Sequence, residues 1–471
     1  MQVITMYKMN AFHDSHLHML GIGYVESMLD LSTYDSIEEL RRIRSERSII
    51  LGRGWHQNQF VEQRVPTKDD LNRISTTAPV VFIRVCGHVL VVNDKAMELA
   101  GIDEQTPQQD GGRFDVTTGL FTEGAMQRIY DVLPKPTKDD IKRYLITGND
   151  RLIEMGITSC ASDDFSTLPV PYELIIECMT ELYDEGLLQV RLYEQVNLPS
   201  KDLLQDFLNK GYHKRTFNGF TMGPLKLLAD GSLGGRTAYM REPYADDPTT
   251  RGERNFTQET LDELIHMADS HGMDVAVHAI GDGIVDAILD SIERSMARTG
   301  RINHRHALIH AQLTNREQIQ RMKQLGVGAI VQPIFLNSDI PIITERLGSR
   351  RANESYLFRS MHEAGLQVGF STDAPVEGVN PFHNLYTAMT RRSIRYPDAS
   401  PFLLEEAFDL ETALHCYTTV NRWFEYNEHN DVNDWIIVDR DITSATPSQL
   451  RDTIVLETWK DGTCIYRRNQ N

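Results

Sequence analysis

A chain of 471 residues, 41% hydrophobic and 24% charged, has the make-up of an ordinary globular protein and is long enough for a large barrel with insertions. Its formal net charge of −19 repels nucleic-acid phosphates and anionic lipid, so neither is expected as a partner. The five cysteines, Cys86, Cys160, Cys178, Cys416 and Cys464, are scattered and form no C-x-x-C pair, which excludes a disulfide framework and a cysteine-based zinc knuckle and fits a reducing cytoplasm.

The opening residues MQVITMYKMN lack the basic head and long apolar run of a signal peptide, and no stretch approaches the roughly 20 apolar residues that span a bilayer. A soluble cytoplasmic protein is expected. The first informative element is Phe12-His13-Asp14-Ser15-His16-Leu17-His18. On an extended strand, residues i and i+2 share a face, so His16 and His18 converge. Two neutral imidazoles at that spacing suit a divalent transition metal, zinc above all.

Residues 1–49 read as a first barrel strand with its helix. Residues 50–130 break the pattern, with β-like pieces at Ser48–Leu51, Val80–Val85 and Val89–Asn93 and the glycine-rich Gly111-Gly112-Arg113; this predicts an inserted subdomain. Regular alternation then fills 131–431. An amphipathic run through Ile141–Met155 leads to strand Ile157–Ala161, and a helix near Tyr172–Glu185 leads to strand Leu188–Val196. Further strands are predicted near Phe220–Leu228, Asp274–Ala279, His306–Ala311, Val327–Val331 and Gln367–Ser371. Thr257 before Gln258-Glu259, and Thr314 before a run with Glu317, read as helix caps. Residues 432–471 predict a small β-unit from Trp435–Asp439 and Thr453–Tyr466, with Lys460-Asp461-Gly462 as a turn.

Eight short strands, most followed by a helix, predict an α/β fold: a (β/α)8 TIM-like barrel. An open doubly wound sheet is the runner-up, but neither glycine-rich phosphate fingerprint occurs. In such a barrel the chemistry sits at the C-terminal strand ends. Those ends carry His16 and His18, then Lys226, His278, His310 and Asp373. Singly, His278 and His310 read as core histidines, Lys226 as a salt-bridge partner of Asp230, and Asp373 as a helix cap. Together, polar groups ending five apolar strands form a nitrogen and oxygen ligand set.

The order His-x-His, Lys, His, His, Asp resembles the amidohydrolase superfamily, and more closely its amidohydrolase-3 branch of YtcJ-like and N-substituted formamide deformylase-like metal-dependent hydrolases. Lys226-Leu227-Leu228-Ala229-Asp230-Gly231-Ser232-Leu233-Gly234-Gly235-Arg236-Thr237-Ala238 is similar to the branch's K-x-x-x-D-G-S-L-G-S-R-T-A signature. Arg84-Val85-Cys86-Gly87-His88 with Asn93, Val277-His278-Ala279-Ile280-Gly281-Asp282, His310-Ala311-Gln312, Gln332-Pro333 and Asp373-Ala374-Pro375 match further blocks in order. The resemblance implies that His16, His18, Lys226, His278, His310 and Asp373 line a site for one or two Zn2+ ions, with Lys226 carboxylated by CO2. It implies tentative substrate contacts from Arg84, His88, Arg236 and Gln332. There are departures: Ser371-Thr372 replaces the family's Gly-Ser before Asp373, Leu308-Ile309 replaces Ile-Glu before His310, and the usual N-terminal strands of the small β-domain are reduced.

The implied reaction is hydrolysis of an amide-like C–N bond in a small molecule by metal-activated hydroxide. Bound zinc brings the water pKa to roughly 7, and Asp373 serves as general base and then general acid. Alternatives are a hydrolase of esters, lactones or phosphoesters on the same barrel, or an inactive binding or regulatory homologue. Asp230 stands where a nucleophile elbow needs glycine, so Gly231–Gly235 predicts a tight mobile loop beside the metal site. Two-fold symmetric oligomers being the commonest, a homodimer is expected.

Overall fold

The computed structural model describes residues 6–45, 48–57, 59–85, 87, 89–108, 112–426 and 433–469. One sheet holds eight strands in chain order: β1 (Phe12–Leu17), β2 (Ile157–Ser162), β3 (Arg191–Asn197), β4 (Phe220–Leu228), β5 (Val275–Ala279), β6 (Ala307–His310), β7 (Gly328–Val331) and β8 (Val368–Phe370). Every ladder between neighbours is parallel. The expected (β/α)8 barrel is present. Its later strands are continuous buried runs such as Ala307–His310 and Gly328–Val331, as parallel strands covered on both faces must be.

The seam between β8 and β1 is joined outside the ladder. The Asp373 amide donates to His16 O at 2.9 Å, and Ser15 Oγ donates to Phe370 O at 3.1 Å. Asn421 Nδ2 donates across the seam to Phe370 O at 2.6 Å and to His13 O at 2.5 Å. Asn421 belongs to the helix Thr419–Phe424, whose Val420 and Phe424 share a core with Ala276, Ala307, Ile309 and Ile330.

The helices start and stop where side chains satisfy their ends. Thr257 caps Gln258–Ser270 by accepting from Thr260 N, as predicted. Arg316–Leu325 is capped by Asn315 rather than Thr314, because Gln318 returns a bond to Asn315 N at 3.1 Å and completes a capping box. Gly300 and Gly326 end their helices at φ +67° and +70°. Helix Lys138–Glu154 needs Gly148 for another reason: a Cβ there would lie 2.1 Å from Met19 O. This close approach backs the segment that leaves His18.

A small antiparallel sheet holds Trp435–Val438, Val455–Lys460 and Thr463–Arg467. The expectation that its N-terminal strands are reduced needs correcting by one strand. Tyr7–Asn10 pairs along Trp435–Val438, from Tyr7 opposite Val438 to Asn10 opposite Trp435.

A second compact unit spans Gly23–Asp140. Its sheet runs Leu29–Asp30, Ile50–Trp55, Val80–Arg84, Val89–Val92, Leu120–Thr122, Phe114–Asp115. Residues 23–49 pack here, since Leu31, Ile37 and Leu40 share one core with Ile50, Trp55 and Phe82. Within this unit the buried Asp70 accepts from Arg41 Nε at 3.0 Å, Arg64 Nη1 at 2.7 Å and Thr67 N at 2.8 Å. Burial pushes its carboxyl up, but these donors outweigh burial and hold it well below the usual range. A depressed folded-state pKa stabilises above the ordinary aspartate range and loses that contribution as pH falls through it. Asp70→Asn is therefore expected to cost about 3 kcal/mol at neutral pH, with wild type and variant converging in acid, as read by urea unfolding at each pH. No helix among the described residues is long and apolar enough to cross a membrane.

Candidate metal centre

β1 turns its imidazoles inward as the H-x-H spacing predicts, and the strand ends opposite it bend to meet them. His310, Ala311 and Asp373 adopt φ of +74°, +45° and +55°, left-handed backbone that non-glycine residues rarely take. This strain ends β6 and the segment after β8 and leaves both side chains facing His16. His16, His310 and Asp373 each present one ligand atom, and these atoms lie within 4.8 Å of one another. Asp373 Oδ1 is 3.3 Å from His16 Nε2 and 3.0 Å from His18 Nε2. Asp373 is thus no helix cap; Asn380 caps the following helix Pro381–Thr390.

Each of these histidines has its other nitrogen occupied. His16 Nδ1 bonds Gln195 Oε1 at 2.6 Å, His18 Nδ1 bonds Asp163 O at 2.7 Å, and His310 Nδ1 bonds Gln332 Oε1 at 2.7 Å. An oxygen acceptor on Nδ1 places a proton there, so Nε2 is the nitrogen each ring can offer a metal, which would displace the proton that His18 Nε2 shares with Asp373. Three such nitrogens beside a carboxylate fit a divalent metal.

Lys226 is buried, with Nζ 3.5 Å from His16 Nε2 and 3.2 Å from Asp163 Oδ2. Its ion-pair partner is Asp163, not Asp230. Asp230 instead accepts from the amides of Tyr239, Ile280 and Gly281 at 2.9, 3.1 and 2.9 Å, tying the Gly231–Gly235 loop to the end of β5. His278 lies beside His310, ring centroids 4.4 Å apart, but its Nε2 bonds Gly231 O at 3.0 Å. The loop is tight, as expected: a Cβ on Gly231 would meet Thr237 Oγ1 at 2.1 Å.

Electrostatics sort the groups. Burial opposes ionisation of Asp373, yet hydrogen bonds from His16 and His18 hold it well below the usual carboxylate range. Burial disfavours the His18 cation, but Asp373 and Asp163 outweigh it and raise its pKa to about 9. Burial, then the Lys226 charge, lowers His278 to about 4. Burial with His278 alongside drives His310 well below its ordinary value, keeping it neutral as ligation requires.

The tentative substrate contacts fare differently. Gln332 is buried, its Oε1 on His310 and its Nε2 donating to Ser371 Oγ at 2.7 Å, so both ends of its amide are held by protein partners. Arg236 pairs with Asp246 at 2.7 Å. Arg84 Nε donates to Gln57 Oε1 at 3.1 Å within the Gly23–Asp140 unit. His88 lies outside the described residues. Sequence reasoning missed Asp163 and Gln195, at or near the ends of β2 and β3, because those strands read ITSCAS and RLYEQVN and their own polar residues mask the signal that found Lys226. Gln332→Leu is expected to weaken metal binding by about 10–100-fold by freeing the His310 ring, measured by competition with a chelating dye.

The model of the Amidohydrolase family, Amidohydro_3, matches residues 9–466. The chain belongs to this family. YtcJ of Bacillus subtilis (strain 168) is 30% identical over 97% of this amidohydrolase and 88% of its own length. The N-substituted formamide deformylase of Arthrobacter pascens is 21% identical over 97% of the chain and 88% of its own length. The crystal structure of an uncharacterized metal-dependent hydrolase from Pyrococcus horikoshii superposes with a TM-score of 0.79 at 31% identity, covering 94% of this chain and 88% of that one. The amidohydrolase is thus a metal-dependent hydrolase by family, and a divalent metal is its implied cofactor.

Proposed function

We propose that this amidohydrolase cleaves an amide-like C–N bond of a small molecule at a zinc site. The site comprises His16, His18, Lys226, His278, His310 and Asp373. The observation that carries the reading is the shared tautomer of His16, His18 and His310, each with Nδ1 bonded to a protein oxygen and Nε2 left for ligation. The deformylase relative, named for a substituted formamide, supports a C–N bond over an ester.

A divalent metal held there supplies Lewis acidity, polarising the scissile carbonyl and lowering the pKa of a water. The protein's own groups do the rest. Asp373, ionised in spite of burial, accepts a proton from the attacking water and returns it to the departing amine. Gln195 and Gln332 keep His16 and His310 in one tautomer throughout. Lys226 would contribute as a carbamate: its ammonium gives up one proton, with the Asp163 carboxylate 3.2 Å away as the neighbouring acceptor, and the free amine adds CO2 with loss of a second proton to solvent, which leaves an oxygen donor beside His16 Nε2. The reading also divides the chain into a barrel, an inserted subdomain and a small C-terminal β-unit, and takes the enzyme as a cytoplasmic homodimer.

Metal content by plasma mass spectrometry on chelator-free protein tests the reading. Stoichiometric zinc, lost in the His16→Ala/His18→Ala double variant, together with amine release from N-formyl and N-acyl amines, is the expected result. Protein that binds no zinc after incubation with zinc and bicarbonate overturns it.

A further inference from the structure

The element that supplies His16 and His18 begins with another histidine that the metal centre leaves unused. His13 sits at the opposite end of β1, directly paired in the ladder with Ser159 of β2. Its ring is bonded on both sides. Ser159 Oγ lies 2.5 Å from His13 Nδ1, and Glu425 Oε1 lies 2.5 Å from His13 Nε2. Glu425 closes the helix Thr419–Phe424 that seals this end of the barrel.

Hydrogen-bond counting fixes the first proton. A carboxylate can only accept, so Nε2 carries a ring proton and donates it to Glu425. In the neutral ring Nδ1 is then a lone pair and accepts from the Ser159 hydroxyl. A serine donating to an imidazole whose far side is held by a carboxylate is the arrangement that activates a serine nucleophile. Buried polar triplets often serve only to satisfy one another. Here the triplet also borders a cavity of about 40 Å³, lined by His13 and Ser159 with Asn10, Thr158, Arg422 and Asp434. Asn10, Thr158 and Arg422 bring hydrogen-bond donors to the same space, and the opposite charges of Arg422 and Asp434 balance there, which favours an uncharged ligand.

We propose that Ser159, His13 and Glu425 form a second, metal-independent acyl-transfer site for esters with a short, uncharged acyl group. Ser159 Oγ bonds to the ester carbonyl carbon as the bond from that carbon to the leaving alcohol breaks. The Ser159 proton passes to His13 Nδ1 and then to the departing alkoxide. Water, giving its proton to Nδ1, attacks the acyl carbon, releases the carboxylic acid and restores the Ser159 hydroxyl. Glu425 stabilises the transient imidazolium. The cavity volume, enough for a few water-sized groups, restricts the acyl part to acetyl or similar size.

The test uses p-nitrophenyl acetate with the full chain, before and after metal removal by a chelator, so that failure of the zinc reading leaves this one intact. The expected result is chelator-resistant nitrophenolate release, with acetyl found on Ser159 by peptide mass spectrometry after acid quench. Ser159→Ala should lower the rate by about 100-fold or more, and Glu425→Gln by a smaller factor with KM unchanged. Acetyl on any other residue, or on none, overturns the proposal in wild-type protein without relying on a variant's folding. So does a rate that Ser159→Ala leaves unchanged.

Discussion

Asp373→Asn is expected to reduce kcat for amide hydrolysis by about 10²–10⁴-fold, the range for losing one general acid–base group. The substitution keeps the shape and both hydrogen-bonding ends of the side chain, so the strained backbone at φ +55° and the amide bond to His16 O can persist. What it removes is the negative charge that His16 and His18 hold in place. An asparagine amide neither takes a proton from water nor returns one to an amine. It also presents an NH2 group toward His18 Nε2 in one of its two orientations, which competes with ligation. Both effects lower turnover, and they separate by measurement. Metal content that survives in the variant assigns the loss to proton transfer; zinc that falls in parallel with kcat assigns it to ligation. A variant with wild-type kcat and full zinc removes Asp373 from the mechanism.

The barrel was legible because parallel strands covered by helices must be short apolar runs, and Val275–Ala279, Ala307–His310 and Gly328–Val331 are such runs, each separated from the next by a helix. The ligands were legible for the same reason: a charged or imidazole side chain at the end of an apolar strand stands out in one dimension. Tyr7–Asn10 did not stand out, since its alternation of half-buried and exposed residues runs for only four positions. Partner choice was illegible. Lys226 had Asp230 four residues away in sequence, yet its carboxylate neighbour is Asp163, contributed from beyond the end of β2 two strands away in the sheet. Gln332 read as a substrate contact through the match of Gln332-Pro333 to a family block, which carries no information about its partners. Its bonds to His310 and Ser371 depend on the stagger between β6, β7 and β8. His13 was visible throughout as part of the first motif, but its partner Glu425 is 412 residues distant.

Asn421→Ala is expected to destabilise the fold by about 1–3 kcal/mol, because it takes the side-chain donor from the buried His13 carbonyl and one of two side-chain donors from Phe370 O. Asn421 is itself fully buried, and its single NH2 group serves Phe370 O and His13 O from the two strands that the ladder does not join. Phe370 O keeps the bond from Ser15 Oγ at 3.1 Å, so the loss falls chiefly on His13 O. The consequence reaches function through geometry. β1 carries His16 and His18, and β8 leads into Asp373; the seam sets the 3.3 Å and 3.0 Å separations between them. A loosened seam should therefore weaken zinc binding at temperatures where the fold persists, although on β1 Asn421 holds the end away from His16 and His18. Urea unfolding and zinc titration on the same preparation read the two effects. Lost stability with unaltered zinc affinity would show that the Asp373 amide bond to His16 O alone maintains the register at the metal-binding end.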